Sequence, residues 1–471
     1  MRVLLLERHE EPTIACGWVV RVGSADERPG ITGIAHLFEH MMFKGTRVIG
    51  TRDAARDAEL NARQDQVMAA IGQELDLRRE QLRRGEIASL DDAATRSPRQ
   101  QELLRQMDAL VLEQRSLIVK DELDKVYGQY GATGLNANTN QDRTFFHVDV
   151  PSNRLELWAW LESDRLRNAV FREFYSERDV VLEERRQRIE ATPAGKLQEA
   201  LLTRVWQAHP YRWPVIGWPS DIACVTRDEA DAFYATYYKP SNITAILVGD
   251  FRTEEALALL ERYFGRIPSD GKPIPAVTVL EPPQPGERRL EGSADASPQV
   301  MAAYRTVAAV HRDAPALTVL GYVLNGESGR LTRELVYRRR MAVEARAEDL
   351  HQRYLGLFLI TGVPVPGHTP EEVEGLVERE VERLKRDGIT DRELQKARNQ
   401  IQMDAFERNG SNGQLRDQLA EAESCGTYQD YLDEPARLQA VTREDVQRVA
   451  RDYLVPTNRT TLILRRKETQ E

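Results

Sequence analysis

Three cysteines in 471 residues, Cys16, Cys224 and Cys425, are too few and too scattered for a disulfide framework or a paired-cysteine metal site, and they read as inert buried thiols. Positive charge is not in excess. Lysine and arginine total 65 against 75 aspartates and glutamates, a formal net charge of −10, which argues against a nucleic acid as main partner. No apolar run is long enough to span a bilayer, and residues 1–7 offer too short an apolar core for a signal peptide. As written, the chain is expected in the cytoplasm. Histidine is scarce, 8 in the whole chain, so a pairing of histidines carries information. What is present, 41% hydrophobic and 30% charged residues, describes a globular chain with a heavily charged surface. Its length exceeds one ordinary core and predicts two domains of about 200 residues or more.

The most informative stretch is His36-Leu37-Phe38-Glu39-His40. On a helix, residues four apart stand one above the other, so His36 and His40 can turn two imidazoles toward one metal ion. Glu39 lies beside them, able to work on a water at that metal without being a ligand. This is the inverted zinc-peptidase order H-x-x-E-H, and it predicts a Zn2+ site with Glu39 as general base. Thr32 is the expected N-cap and Gly45 the C-terminal stop of the helix. The plain alternative is a pair of structural histidines.

The longer run from Val22-Gly23-Ser24 through Gly30-Ile31-Thr32-Gly33 and on to Gly45-Thr46 resembles the M16 metallopeptidases, the pitrilysin-like inverzincins, and further blocks extend the likeness over nearly the whole chain. The resemblance implies two homologous α+β domains, each an antiparallel-rich sheet with helices on one face. They form a clam-shell lobe pair with the zinc in the first. It also implies a zinc endopeptidase acting on extended or unfolded peptides. Glu177 and Glu184 are seven apart, two helical turns, and so share a face. In M16 enzymes the second of two glutamates at this spacing is the third zinc ligand, which maps to Glu184 and leaves Glu177 as an auxiliary acidic catalytic residue. From the residues alone Glu183 stands almost level with Glu184, and a solvated charged helix is the plainer reading.

In residues 134–151 a polar segment turns into a strand. The resemblance makes it the sheet edge on which substrate lies, with Asn136 and Ala137 at the substrate-binding positions. Such an edge offers unpaired N–H and C=O groups to any extended peptide. His147 reads as a packed or surface histidine, and residues 209–221 as a packed loop near the chamber. Relatives carry a longer lead-in than this sequence, so an upstream signal peptide would place the protein in the periplasm.

After Thr46, Leu60, Val67, Ile71, Leu75 and Leu82 fall at spacings of 7, 4, 4 and 7, and Leu103, Met107, Leu110 and Leu117 at 4, 3 and 7. Two antiparallel helices zipped along narrow apolar seams are predicted. They insert between the blocks of the zinc site, as a partner contact, a gate, or a solvated elaboration. A repeat then appears: Val225-Thr226-Arg227 through Tyr237, Pro240, Asn242 and Thr244 returns, 225 to 441 at an offset of 216, as Val441-Thr442-Arg443 through Tyr453, Pro456, Asn458 and Thr460. The expected layout is a catalytic domain over 1–266 with the insertion at about 52–125, a proline-rich linker over 267–287, and a second domain over 288–471 without a zinc motif. M16 proteins carry an arginine and a tyrosine, seven apart, in that second copy. Alignment from the turn Gly326-Glu327-Ser328-Gly329-Arg330-Leu331 puts Val336 and Val343 there. The chain is therefore expected to be the zinc-bearing subunit of a heteromeric peptidase, with a homologous partner supplying the pair. A non-catalytic scaffold or peptide-binding subunit is the alternative.

Overall fold

The computed structural model describes residues 1–467. The chain opens with β1 (Arg2–Glu7) and β2 (Thr13–Val20), then α1 (Ile34–Met41), α2 (Ala54–Arg83), α3 (Pro98–Leu117) and α4 (Glu122–Gln129). The hairpin β3 (Thr133–Thr139) and β4 (Thr144–Pro151) leads into α5 (Leu155–Arg167), α6 (Phe174–Arg185), α7 (Pro193–Val205), α8 (Pro219–Cys224) and α9 (Arg227–Tyr237). Strand β5 (Ile243–Gly249) and α10 (Thr253–Phe264) close the first half. The second half runs β6 (Arg288–Ala294), β7 (Gln299–Val307), α11 (Ala314–Leu324), β8 (Ala342–His351) and β9 (Leu355–Pro364). Helices α12 (Pro370–Asp387), α13 (Asp391–Arg408), α14 (Asn412–Cys425), α15 (Tyr428–Ala440) and α16 (Arg443–Tyr453) follow, before β10 (Arg459–Arg466).

Two homologous α+β domains result, and their sheets share one plan. The strand order is β1-β5-β2-β4-β3 in the first and β6-β10-β7-β9-β8 in the second. In each, the first pair is parallel and the rest antiparallel. The sequence repeat has a physical cause. Thr226 and Thr442 each open a helix with a reciprocal capping box, to Glu229 and Asp445. Asn242 then donates to the carbonyls of Tyr237 and Arg21, and Asn458 does the same to Tyr453 and Arg305. Each asparagine ties the end of a helix to the neighbouring strand, which is why both copies keep it.

Strands β2 and β5 are buried along nearly their whole length, so both faces of the first sheet are covered. One face carries the domain's own core, in which Trp18, Phe38, Phe146 and Trp158 pack. The other is covered by α14 from the second domain, where Ala420, Leu415 and Leu419 meet Val19, Phe145, Ile246 and Val248. The exchange is mutual. Helix α7 of the first domain lays Leu201 and Val205 against Ala303, Leu359, Leu462 and Leu464 of the second sheet. Ion pairs cross the same boundary, Arg2 to Glu423 at 2.7 Å and Arg416 to Asp149 at 2.6 Å. The chain between α10 and β6 is largely exposed until Glu281, whose carboxylate accepts the backbone N–H groups of Gln207, Ala208 and His209 and pairs with Arg305.

Helices α2 and α3 are antiparallel: Asp57 and Gln64 meet Gln114 at one end, and Glu74 meets Ser97 at the other. Leu60, Ile71, Met107 and Leu110 are buried in or beside their contact, but Leu82 is exposed. The cysteines are all free; Cys16 is buried, whereas Cys224 is half-buried and accepts a hydrogen bond from Arg79 at 2.8 Å. Cys224 and Cys425, both half-buried, are thus less enclosed than expected.

Candidate metal centre

Helix α1 starts differently from the expectation. Its N-cap is Gly33 at φ 89°, a left-handed conformation, and a Cβ there would lie 2.5 Å from the Ile216 carbonyl oxygen. The free N–H groups of Gly33 and Ala35 are taken by the carboxylate of Glu27, both at 2.9 Å. Thr32 does not cap. Its hydroxyl donates to Asp221 at 2.7 Å and so ties the helix entry to the start of α8. The helix ends at Met41, and Gly45 lies beyond it, at φ 90° in the turn that Thr46 and Ile49 close. Isolated buried helix ends are costly, so Glu27 fixes where α1 begins.

Among the described residues, His36, His40 and Glu184 form a group that could hold a metal, one donor atom from each lying within 4.8 Å of the others. His36 Nε2 is 3.8 Å from Glu184 Oε1, and His40 Nε2 is 3.4 Å from Oε2. Tetrahedral zinc with bonds of about 2.0–2.2 Å spaces its ligands about 3.4 Å apart, so this nitrogen and carboxylate set fits the ion with little movement. Glu183 does not compete. It is exposed and pairs with Arg186, three residues on at the end of α6. Glu177 sits behind His40: its Oε1 is 2.9 Å from His40 Nδ1 and its Oε2 is 2.6 Å from Lys44 Nζ. A carboxylate on Nδ1 leaves Nε2 free to face a metal.

The electrostatics favour a cation at this point. Burial, then the nearby charge of His40, pulls His36 down to about 4. Burial also works against His40, but the hydrogen bonds and charges of Glu177 and Glu184 outweigh it and lift His40 to about 9. Glu184 is held low by its hydrogen bond to His40 and by the charges of His36 and Arg188. Burial alone would raise Glu177, yet His40 and Lys44 hold it below the usual carboxylate range. Glu39, half-buried, is raised by burial, with hydrogen bonding to Thr139 in partial opposition. A carboxyl raised in this way is a better proton acceptor than a free one.

Strand β3 is the free edge of the first sheet and contacts α1. Asn136 is exposed on it, its Oδ1 accepting from Ala137 N–H at 2.9 Å, while Ala137 is buried and pairs with Phe146. A cavity of about 590 Å³ opens beside Glu39 and His40, walled by Phe43, Ile49, Ile118 and Leu123. A second, of about 260 Å³, lies between His36, Thr139, Glu184 and Arg188, and Val215 and Ile216 of the 209–221 loop wall it. His147 stands apart on β4. In the second domain α11 buries Leu317, Val319 and Leu320 and offers no comparable donors. Val336 packs on the core and Val343 is exposed on β8.

Sequence reasoning missed Glu27, Lys44 and Arg188. Arg188 follows Glu184 by one helical turn and pairs with it at 2.6 Å, so i,i+4 spacing carries that signal. Lys44 and Glu27 act through tertiary contacts that no spacing reveals. Arg172 is of the same kind: fully buried, it pairs with Asp57 at 3.0 Å and donates to the carbonyls of Lys44, Thr46 and Ile49, shaping the loop after α1.

Comparison with known proteins identifies the family and the fold. The family model for "Insulinase (Peptidase family M16)" matches residues 2–69, and that for "Peptidase M16 inactive domain" matches residues 225–401. The zinc protease PqqE of Helicobacter pylori is 29% identical over 350 residues, 73% of this chain and 79% of that protein. The uncharacterized zinc protease YmxG of Bacillus subtilis is 21% identical over 85% of this chain and 80% of its own length. Among solved structures, a protease from Helicobacter pylori superimposes with a TM-score of 0.78 at 24% identity, covering 98% of this chain and 96% of that one. Pitrilysin gives 0.68 at 15% identity over all of this chain but only 44% of its own. The two family models together span just over half of the residues, the second reaching from α9 of the first half into α13 of the second, and the chain belongs to the M16 family of peptidases.

Proposed function

We propose that this chain is a zinc-dependent endopeptidase subunit that hydrolyses extended or unfolded peptides. One observation carries the reading: a single turn of α1 aims His36 and His40 at Glu184 and sets Glu39 next to them. His36, His40 and Glu184 would hold Zn2+. The ion would supply Lewis acidity, polarising the scissile carbonyl and making water nucleophilic near neutral pH. Glu39 takes the proton of the attacking water and delivers it to the leaving amine. Glu177 holds the His40 ring and keeps the proton on Nδ1. Substrate backbone pairs with the open edge of β3 at Asn136 and Ala137, which demands an extended segment and little of its sequence.

The chain works, in this reading, as one half of a two-subunit enzyme, with a homologous M16 subunit supplying the missing arginine and tyrosine. The valines at 336 and 343 support that arrangement. The match of residues 225–401 to an inactive domain also favours a second reading, a scaffold that has abandoned catalysis. The test is hydrolysis of an unstructured peptide by the zinc-loaded chain, alone and with its homologous partner, beside Glu39→Gln. The variant should keep its zinc and lose activity by at least about 10². Near-normal turnover by Glu39→Gln refutes the assignment of the base. Full activity of the lone chain, unchanged by the partner, refutes the division of labour. Absence of stoichiometric zinc and of activity with any partner establishes the scaffold.

A further inference from the structure

Strand β3 has little of its own to hold it. It is the outermost strand of the first sheet, and of its residues Ala137 alone is buried. Its pairing with β4 runs in regular register only over 136–139, beyond a shift that separates Thr133 from Asn136. An edge strand of this kind opens readily unless something outside its ladder fixes it.

That fixing comes from the second domain, through the turn that joins β3 to β4. Asp142 in this turn is 2% exposed. Its Oδ1 accepts the Tyr211 hydroxyl at 2.7 Å, and its Oδ2 accepts the N–H of Arg353, in the turn between β8 and β9, at 2.9 Å. The Tyr354 N–H donates to the same Tyr211 oxygen at 3.1 Å. Arg143, the next residue, reaches in two directions. Its Nε pairs with Glu421 of α14 at 2.9 Å, and its Nη1 donates to Asn138 of β3 at 2.7 Å. Asn138 stands opposite Phe145, on the sheet face that α14 covers, so side chains run unbroken from a helix of the second domain to the outer strand of the first. Asn136, two residues earlier, shares that face.

We propose that Arg143 and Glu421 are positioning residues of the peptide site: they fix the free edge of β3, so that an extended substrate meets an ordered row of N–H and C=O groups. The proposal rests on the endopeptidase reading above and gives the second domain a part in substrate binding. An edge ordered beforehand binds tighter, because the peptide alone then loses freedom when it pairs. A second ion pair separates this role from the docking of α14 as such. Arg416 joins the same helix to Asp149 of β4 at 2.6 Å, and its remaining partner is Asp417, so this pair carries no bond to a side chain of β3.

The zinc-loaded Glu39→Gln chain serves as parent for two readings: hydrogen exchange of the amides in 133–139, followed by mass spectrometry, and anisotropy of a fluorescein-labelled, unstructured twelve-residue peptide. In Glu421→Lys and in Arg143→Glu, exchange should quicken and peptide affinity should fall, each by about tenfold, with zinc affinity unchanged. Glu421→Gln keeps the shape and removes the charge, and should move both readings the same way by about threefold, which covers the case of a reversal that fails to fold by near-UV dichroism. Exchanging the pair, Arg143→Glu with Glu421→Arg, restores the attraction, and Asn138 can turn its amide to donate to the new carboxylate. Both readings should then return to within about threefold of the parent. Asp149→Asn should lower the thermal midpoint and leave both readings within about twofold. Unchanged exchange in the single variants, or faster exchange with peptide affinity intact, overturns the proposal. An effect of Asp149→Asn as large as that of Glu421→Gln also overturns it, since β3 would then simply follow the docking of the helix. If exchange quickens and recovers as described while no form of the chain binds the peptide, the endopeptidase reading fails and the fixing of β3 stands.

Discussion

Replacing Glu177 by glutamine isolates the charge behind the metal centre from its shape. The side chain is buried, with His40 Nδ1 at 2.9 Å on one oxygen and Lys44 Nζ at 2.6 Å on the other. Glutamine keeps an oxygen that accepts from Nδ1–H, so the ring stays where it is. What disappears is the negative charge, and Lys44 is then balanced only by Glu173 at 3.6 Å, one imidazole away from where His36, His40 and Glu184 would hold a metal cation. Loss of such a carboxylate behind a histidine ligand typically costs about 10- to 100-fold in metal affinity, or about 1.4–2.7 kcal/mol. Zinc affinity should be measured by competition against a chelating indicator, with circular dichroism to establish that the fold persists. Glu184→Gln removes a donor and should lose more than Glu177→Gln. Glu183→Gln, whose carboxylate faces Arg186, should lose nothing. A Glu177→Gln affinity within twofold of the wild type, or equal losses in the 183 and 184 variants, would show that α6 presents a different face to α1.

Three other perturbations test the frame around the site. Asp57→Ala strands the buried Arg172 guanidinium, so it should cost about 3–5 kcal/mol by urea denaturation, against less than about 1 kcal/mol for Asp76→Ala in an exposed pair with Arg79; equal losses would mean Arg172 finds other partners. Burial would raise Glu393, but Arg330 and the Thr390 N–H overcome it and hold the carboxyl at about 2, against 4.5 ordinarily. The depressed group stabilises the fold above its unfolded value, and that contribution is lost as pH falls from 4.5 through 2. Thermal midpoints of Glu393→Gln should therefore change less with pH over this window than those of the wild type, and parallel curves would refute the linkage. A fragment of residues 1–287 uncovers Val19, Phe145, Ile246 and Val248, about 6–12 kcal/mol of apolar burial, comparable with the whole stability of a domain. It should lack near-UV dichroism until residues 288–471 are added, and a monomer that unfolds cooperatively by itself would refute the shared-helix packing.

Periodicity and spacing made part of this molecule readable. Four-residue spacing sets His36 and His40 on one face of α1, and seven-residue spacing sets Glu177 and Glu184 on one face of α6, because helix geometry is local. The choice between Glu183 and Glu184 needed a family register, since a single helix does not say which neighbour its partner lies on. The capping of α1 was misread for a related reason. Thr32 has the right chemistry and position, yet Asp221, 189 residues away, claims its hydroxyl, and Glu27 takes the helix N–H groups instead. The hairpin shows where hydrophobic patterning runs out. At the end of the hairpin beyond Leu110 the contact is polar, with Gln114 Nε2 donating to Asp57 and Asn61 and Gln64 donating to Gln114. Buried amides that satisfy one another across two helices look, in sequence, like solvent-facing residues.

The duplicated architecture also accounts for a second domain that keeps the fold while, among the described residues, the candidate metal-holding group lies in the first. In the second copy, α11 fills with Leu317, Val319 and Leu320 the kind of helix that in the first carries His36, Glu39 and His40. The second domain's structural role is fixed, because α14 seals a sheet face that the first domain's own helices do not reach, and α7 returns the contact. Each domain is thus incomplete by one helix. Glu423 shows how closely the two are joined, since it receives Arg2 and Thr244 from both strands of the parallel pair β1 and β5. A charge 1% exposed at that position, paired across the domain boundary, holds the second domain in register on the sheet whose other face supports α1. The second domain therefore bears on the candidate site through the sheet beneath it, since the face opposite α14 carries the core on which α1 packs.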